Sequence, residues 1–239
     1  MMHDVDYLQL VSCTIIKMTE IDDVERDHVH AIYDAIAHEF DATRFSRWPC
    51  VTRFLDGLET GSRVLDIGCG NGKYLSYRPD LDMIGIDACA KLVDIARDKN
   101  PGSRVYVLNA LEMLECDKLN RRFDAMICVA MLHHISSPER RRQLVTDALQ
   151  LLKPSGTALF TVWNELGVGI EGSAEKDVYV PWNGKGGWVK SSMQRYYHVF
   201  SLPELNALFD ELKKSCGIET VEIIEEAGNY CCTVKKISV

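Results

Sequence analysis

Ser62-Arg63-Val64-Leu65-Asp66-Ile67-Gly68-Cys69-Gly70-Asn71-Gly72 is the stretch on which the fold turns. Val64, Leu65 and Ile67 form a short apolar run that stops at three alternating glycines, the pattern of a buried strand breaking into a tight turn. Glycine suits that turn because the backbone takes positive φ and a ligand can approach with no Cβ in its way. Lys73-Tyr74-Leu75 is expected to open a helix whose free N–H groups and positive dipole end favour an anion. Asp66 closes the strand, and a second apolar run, Met83-Ile84-Gly85-Ile86, ends in Asp87. A carboxylate at the tip of a second strand, roughly 20 residues past the first glycine, is placed to accept hydrogen bonds from ribose hydroxyls. The spacing Gly68-x-Gly70-x-Gly72 is not the G-x-G-x-x-G of dinucleotide-binding folds.

Outward from this turn, strands and helices alternate. A helix is expected over 90–99, a third strand over 104–109, a fourth over 123–129, a helix over 138–152 and a fifth strand over 157–163. The uniformly apolar centre of 123–129 is what a buried parallel strand requires. Upstream, Val29, Ile32, Tyr33, Ile36, Ala37 and Phe40 repeat at helical steps from Glu25 on, and Trp48-Pro49 opens another helix. Residues 1–24 lack periodicity and read as a loose extension to a single domain over 25–239. Residues 164–195, rich in glycine, read as a long substrate-side loop. Ser201-Leu202-Pro203-Glu204 is a helix start, and 219–226 and 230–237 alternate around Ala227-Gly228-Asn229 as a hairpin. The expected fold is α/β, a seven-stranded, mostly parallel Rossmann-like sheet with helices on both faces and a C-terminal antiparallel hairpin.

Composition narrows the function classes. A chain of 239 residues with net charge −8 does not carry the overall basic charge of a generic nucleic-acid binder, so any RNA must meet a local basic surface or one supplied by a partner. No segment reaches the ~20 apolar residues of a bilayer span. Nine cysteines without a C-x-x-C pair read as reduced thiols of a cytoplasmic, or also nuclear, protein, and no metal site is expected.

These features resemble the class I S-adenosylmethionine-dependent methyltransferases. The resemblance narrows with Tyr33-x-x-Ile36-Ala37-x-x-Phe40, Thr43-Arg44-x-x-x-Trp48-Pro49, His133-His134-Ile135-Ser136, Glu139-Arg140-Arg141, Asp177-Val178-Tyr179-Val180-Pro181-Trp182 and Arg195-Tyr196-Tyr197-His198-Val199-Phe200. Together with the glycine turn, these blocks are similar to the eukaryotic tRNA wobble-uridine carboxymethyl methyltransferases over about residues 28 to 202. The resemblance implies methylation of the carboxylate of 5-carboxymethyluridine in the tRNA anticodon loop, with S-adenosyl-L-methionine as cofactor and a small zinc-binding activator subunit as heterodimer partner. It implies a cofactor site at Tyr33, Asp66, Gly68, Gly70, Asp87, Asn109 and Ala110. Two departures stand out: Asn109 replaces an aspartate near the adenine, and the segment between Trp182 and Arg195 is shorter than usual. No oxygenase or RNA-recognition module accompanies the domain, so a stand-alone type is expected.

An ionised carboxylate needs no general base to attack a sulfonium methyl, but it needs a cation to orient it. Arg44 is the candidate, since a guanidinium grips a carboxylate bidentately; a surface salt bridge is the bland reading. His133 and His134, expected at the end of strand four, are the other catalytic candidates, as pocket-shaping groups with no proton transfer assigned. Trp163 is a candidate to stack on the base, against a plain core role. Arg195, Tyr196 and His198 mix cationic and aromatic groups as single-stranded loop binders do, while Arg140-Arg141-Arg142 reads as a solvated face before an RNA patch. The third strand, at an open edge, offers Val105 and Val107 for pairing with the activator. A small-metabolite methyltransferase would leave the 177–182 and 195–200 blocks without a role. A non-catalytic homologue would not need Asp66, Gly68, Gly70 and Asp87.

Overall fold

The computed structural model describes residues 22–44, 46–170, 175–183 and 189–238. The first strand, β1 (Arg63–Ile67), lies at the centre of a seven-stranded sheet. It pairs in parallel with β2 (Asp82–Asp87) on one side and β4 (Phe123–Val129) on the other. β3 (Arg104–Val107) extends the sheet beyond β2 to an open edge, and β5 (Leu152–Trp163) continues it beyond β4. Past β5 lie β9 (Asn229–Lys236) and β8 (Ile218–Glu226), both antiparallel pairings, as the alternating C-terminal segments predict. The two residues joining them, Ala227 and Gly228, both have positive φ, the hairpin turn whose twist matches the strands.

Alternation along each strand sends side chains into two cores. Val64, Ala125 and Ile127 face Val51 and Leu55 of α2 (Pro49–Asp56) and Val93 and Ala96 of α3 (Ala90–Lys99). Leu65, Met126 and Cys128 face the other layer, packed with Leu144 and Ala148 of α4 (Pro138–Leu151) and Phe209 and Leu212 of α5 (Leu202–Cys216). Both faces being covered explains why these strands read as continuous apolar runs. The first helix runs Asp23–Glu25, passes through a π-helical turn Arg26–His30 and continues Ala31–Asp41; together these form α1. It starts within the expected extension, whose residues 1–21 lie outside the described ones.

Three sequence expectations need correction. Residues 71–77 after the glycines form successive tight turns, with Leu75 N bonding Gly72 O and Tyr77 N bonding Tyr74 O, and no α-helix. β2 starts level with the foot of β1, so residues 73–81 must descend the length of a five-residue strand, about 16 Å. An α-helix of that many residues covers about 13.5 Å, whereas a three-residue turn geometry covers about 18 Å. Second, the expected loop over 164–195 holds a one-turn helix (Glu165–Val168) and a two-stranded antiparallel sheet, β6 (Asp177–Asn183) and β7 (Val189–His198). The strand formers there are masked in the sequence by the glycines at 184, 186 and 187, a segment outside the described residues. Third, Ser201 precedes α5 but its hydroxyl makes no cap, and Glu204 turns to His198 instead.

Candidate functional site

The carboxyl ends of β1, β2 and β4 meet α1 around one cavity, about 1260 Å³ counting its open mouth. The glycine turn forms its floor. Gly68 has φ +71°, and a Cβ there would sit 2.5 Å from the Met131 side chain. A Cβ on Gly72 would meet Asn100 at 2.6 Å, so this glycine serves packing against α3. Cys69 packs on Gly85, and burial beside Asp66 and Asp87 pushes its thiol pKa up, away from nucleophile chemistry.

Asp66 is fully buried, and its Oδ2 has no hydrogen-bond partner. Burial, then the proximity of Asp87, pushes its carboxyl up to about 7. A buried carboxyl with an orphaned oxygen is costly unless a ligand cation completes it. Asp87 is held rigidly: its oxygens accept from Gly70 N at 2.8 Å and Cys89 N at 2.8 Å, leaving further lone pairs for a diol. Asn109 caps the 3-10 turn Ala110–Glu115, its Oδ1 accepting from Leu111 N at 3.1 Å, so its amide faces the cavity beside Ala110 with the carbonyl already engaged. An ammonium at Asp66, a ribose at Asp87 and an apolar ring among Leu92, Leu108 and Ala110 would be accommodated together. The donor set fits S-adenosylmethionine.

The other wall is aromatic and imidazole-rich. His133 and His134 lie in a 3-10 turn, Leu132–His134, beyond the end of β4 and not on the strand. The Trp163 backbone N–H donates to His133 Nδ1 at 3.1 Å. His134 bridges the Tyr33 hydroxyl (Nε2, 2.9 Å) and the Tyr196 carbonyl (Nδ1, 2.8 Å), so Nδ1 carries the proton and Nε2 accepts. Burial holds both rings neutral, His134 down to about 3, so neither cycles a proton at neutral pH. Trp163 stacks on Tyr197 at 4.8 Å between ring centroids, with one face thereby taken.

Arg44 lines the cavity with its guanidinium over Phe40 at 5.0 Å. Nη1 donates to Thr43 Oγ1, and among the described residues no carboxylate pairs with it, against the salt-bridge reading. Sequence reasoning missed Lys73, which also lines the cavity, over Trp48 and Tyr74. Burial, then Arg44, lowers its pKa to about 8. Its position directly after Gly72 was the available signal.

The expected loop-binding face at 195–198 is corrected, because its side chains are buried. Arg195 is 5% exposed, wedged between Trp182 and Tyr197, with Nε and Nη1 unpartnered. The Tyr196 hydroxyl donates to Asp177 at 2.6 Å, with the Ser136 carbonyl also within reach at 3.0 Å. His198 lies between Asp177 (2.8 Å) and Glu204 (2.6 Å). Nor do the arginines at 140–142 form one solvated face: Arg140 pairs with Glu25 at 2.6 Å with both side chains buried, and Arg141 donates to the Ile135 carbonyl. Only Arg142 is exposed, near Glu211.

Comparison with known proteins agrees with this geometry. Residues 40–212 match the family model described as a methyltransferase domain. The chain is 38% identical over 232 residues to the tRNA (carboxymethyluridine(34)-5-O)-methyltransferase of Schizosaccharomyces pombe, covering 89% of this chain and 97% of that protein. It is 40% identical to the Saccharomyces cerevisiae protein of the same name, covering 66% of this chain and 57% of the relative. The Arabidopsis thaliana counterpart is 42% identical over 59% of this chain, which spans only 34% of its length. Among solved structures, the DhpI-SAM-HEP complex superimposes with TM-score 0.67 at 19% identity over 90% of this chain and 99% of that one, a likeness of fold. This chain belongs to the tRNA (carboxymethyluridine(34)-5-O)-methyltransferase family, built on a class I methyltransferase domain.

Proposed function

We propose that this chain transfers the methyl group of S-adenosylmethionine to the carboxylate of 5-carboxymethyluridine at the tRNA wobble position, forming the methyl ester. The observation that carries this reading is a single cavity holding both the orphaned carboxyl of Asp66 and the acid-free guanidinium of Arg44. The cofactor, when bound, supplies an activated methyl group. Asp66 binds its ammonium, and Asp87 orients its ribose. Arg44 holds the incoming carboxylate, already ionised at a pKa near ~4, so no base is needed. Alignment of the attacking oxygen within the closed site accounts for ~7–11 kcal/mol of barrier. His134, hydrogen-bonded to Tyr33, and His133, held by the Trp163 backbone N–H, shape the wall against which the pyrimidine rests.

The small zinc-binding activator is proposed to pair along β3, the free edge of the sheet. The buried, unpaired cysteines suit the reducing cytoplasm or nucleus. Methyl transfer to bulk tRNA lacking the modification, assayed with radiolabelled cofactor with and without the activator, tests the function. Incorporation into an alkali-labile ester at the wobble uridine is the expected result. Transfer only to small metabolites overturns the tRNA reading, and failure to bind cofactor by calorimetry overturns catalysis altogether. Arg44→Ala is expected to slow transfer at least about a hundredfold, the loss of a charge-assisted contact to the nucleophile.

A further inference from the structure

The geometry points to Lys73 and Arg47 as the place where the RNA backbone beside the target nucleotide is held, an inference that rests on the tRNA reading above. In this acidic chain most exposed cations are spent on neighbouring carboxylates. Arg53 pairs with Glu226, Arg78 with Asp80, Lys91 with Asp34, Lys99 with Asp41, and Lys153 with Asp124. Around the cavity mouth the pattern changes. Arg44, Lys73 and Arg47 form no ion pair among the described residues: Asp41, the carboxylate nearest to Arg44 and Arg47 in the chain, is already taken by Lys99 and Asn71, and Lys73 feels the buried Asp66 only through space.

The three form a series leading from the cavity to the surface. Arg44 and Lys73 line the cavity, and exposed Arg47 donates through Nε to the Lys73 carbonyl at 3.1 Å. Each cation rests on an aromatic face: Arg47 on Tyr77 at 5.1 Å, Lys73 on Trp48 at 5.4 Å, Arg44 on Phe40 at 5.0 Å. Those rings hold the charged groups in place without neutralising them. Among the described residues the Arg47 Nη donors and the Lys73 ammonium make no hydrogen bond. Other cations without acidic partners, such as Arg63 and Arg122, stand at the opposite ends of the strands. With Arg44 committed to the carboxylate substituent, Lys73 beside it on the cavity wall and Arg47 on the surface are left for the phosphates of the extruded nucleotide and its neighbour. Fixed donors on a cationic rim are what a phosphate backbone demands, and they answer how an acidic enzyme engages RNA.

The test measures binding of an anticodon stem-loop RNA bearing 5-carboxymethyluridine across a range of salt concentrations, with wild type, Arg47→Ala and Arg47→Ala/Lys73→Ala, in the assembly in which wild type is active. Each lost phosphate contact is expected to flatten the slope of log K against log salt by about 0.7, so by about 1.4 in the double variant. The KM for RNA rises while kcat at saturating RNA and the cofactor Kd of Arg47→Ala stay at wild-type values. Unchanged slopes and KM in both variants, with wild type active on the RNA, overturn the proposal and leave the tRNA reading standing. A weakened cofactor Kd with an unchanged salt slope assigns the two cations to the cofactor and also overturns it. If wild type neither binds nor methylates the RNA, both fall together.

Discussion

Asp66 is the residue at which binding and stability oppose each other. Its carboxyl ionises near 7 in the folded chain against an ordinary 3.8, so the folded state holds the proton over a window where the unfolded chain has released it. A group raised in this way contributes stability below the ordinary value and loses it as pH rises through about 7. Asp66→Asn is therefore expected to raise the melting temperature of the cofactor-free protein at pH 8 and to change it little at pH 4. The gain is at most about 4 kcal/mol, from about three pKa units. The same variant loses cofactor affinity, because the orphaned oxygen is the partner for an ammonium. Scanning calorimetry at the two pH values, with cofactor titration alongside, checks both effects; equal melting shifts at pH 4 and pH 8 would show that Asp66 is not the titrating group. Arg195 poses the converse case, a buried guanidinium with two unpartnered nitrogens between Trp182 and Tyr197. Replacing an unpaired buried charge by a side chain of similar length removes its desolvation cost. Arg195→Met is expected to fold with an unchanged or higher melting temperature, whereas Arg195→Glu loses about 3 kcal/mol or more. Charge reversal here reports on folding, not on RNA contact.

Among the elements, α1 is tied down at its first turn by a buried ion pair. Glu25 takes Arg140 Nε at 2.8 Å and Nη2 at 2.6 Å, and it also accepts the Ser136 N–H and hydroxyl. Removing the charge while keeping the shape, Glu25→Gln, takes a buried carboxylate away from the guanidinium it holds in α4. Destabilisation of about 3–5 kcal/mol in urea unfolding is expected, with faster amide exchange in 22–40. A loss under 1 kcal/mol would mean that water reaches Arg140. Nothing in the sequence links positions 25 and 140, because the contact spans more than a hundred residues and neither side chain carries a local pattern. The parallel strands were legible for the opposite reason: Val64, Leu65, Ile127 and Cys128 are apolar on both faces, and the glycine turn punctuates them. The turn after Gly72 was misread as helix because spacing alone does not reveal how far the chain must descend. Arg195, Tyr196 and His198 were misread as surface because β6 supplies Asp177 and Trp182 to cover them, a pairing hidden behind glycines. Lys73 and Arg47 were passed over because what sets them apart, the lack of an ion pair among the described residues, shows only in the folded arrangement.

At the scale of the whole molecule, the sheet has two unlike edges. β8 carries Glu219, Glu222, Glu225 and Glu226, Glu219 paired with Lys235 of β9, and an edge strand this acidic discourages another strand from adding there. β3 presents Val-Tyr-Val, and Val107 is 50% exposed. That edge is not wholly free, for the Val105 carbonyl already accepts from Arg97 Nε and Nη2 at 3.1 and 2.8 Å. An added strand would therefore engage chiefly at Tyr106 and Val107, beyond the arginine. Val107→Lys places a charge where such a strand would lie, while the side chain already faces water, so the fold itself loses little. The chain alone is expected to become less prone to self-association in sedimentation, and its affinity for the proposed activator to fall at least about tenfold, about 1.4 kcal/mol. Activity in the presence of excess activator should recover toward the wild-type value, because the cavity lies at the strand tips and not on this edge. Unchanged affinity for the activator would move the partner interface away from β3, and a wild-type subunit that is monodisperse and fully active alone would remove the need for one.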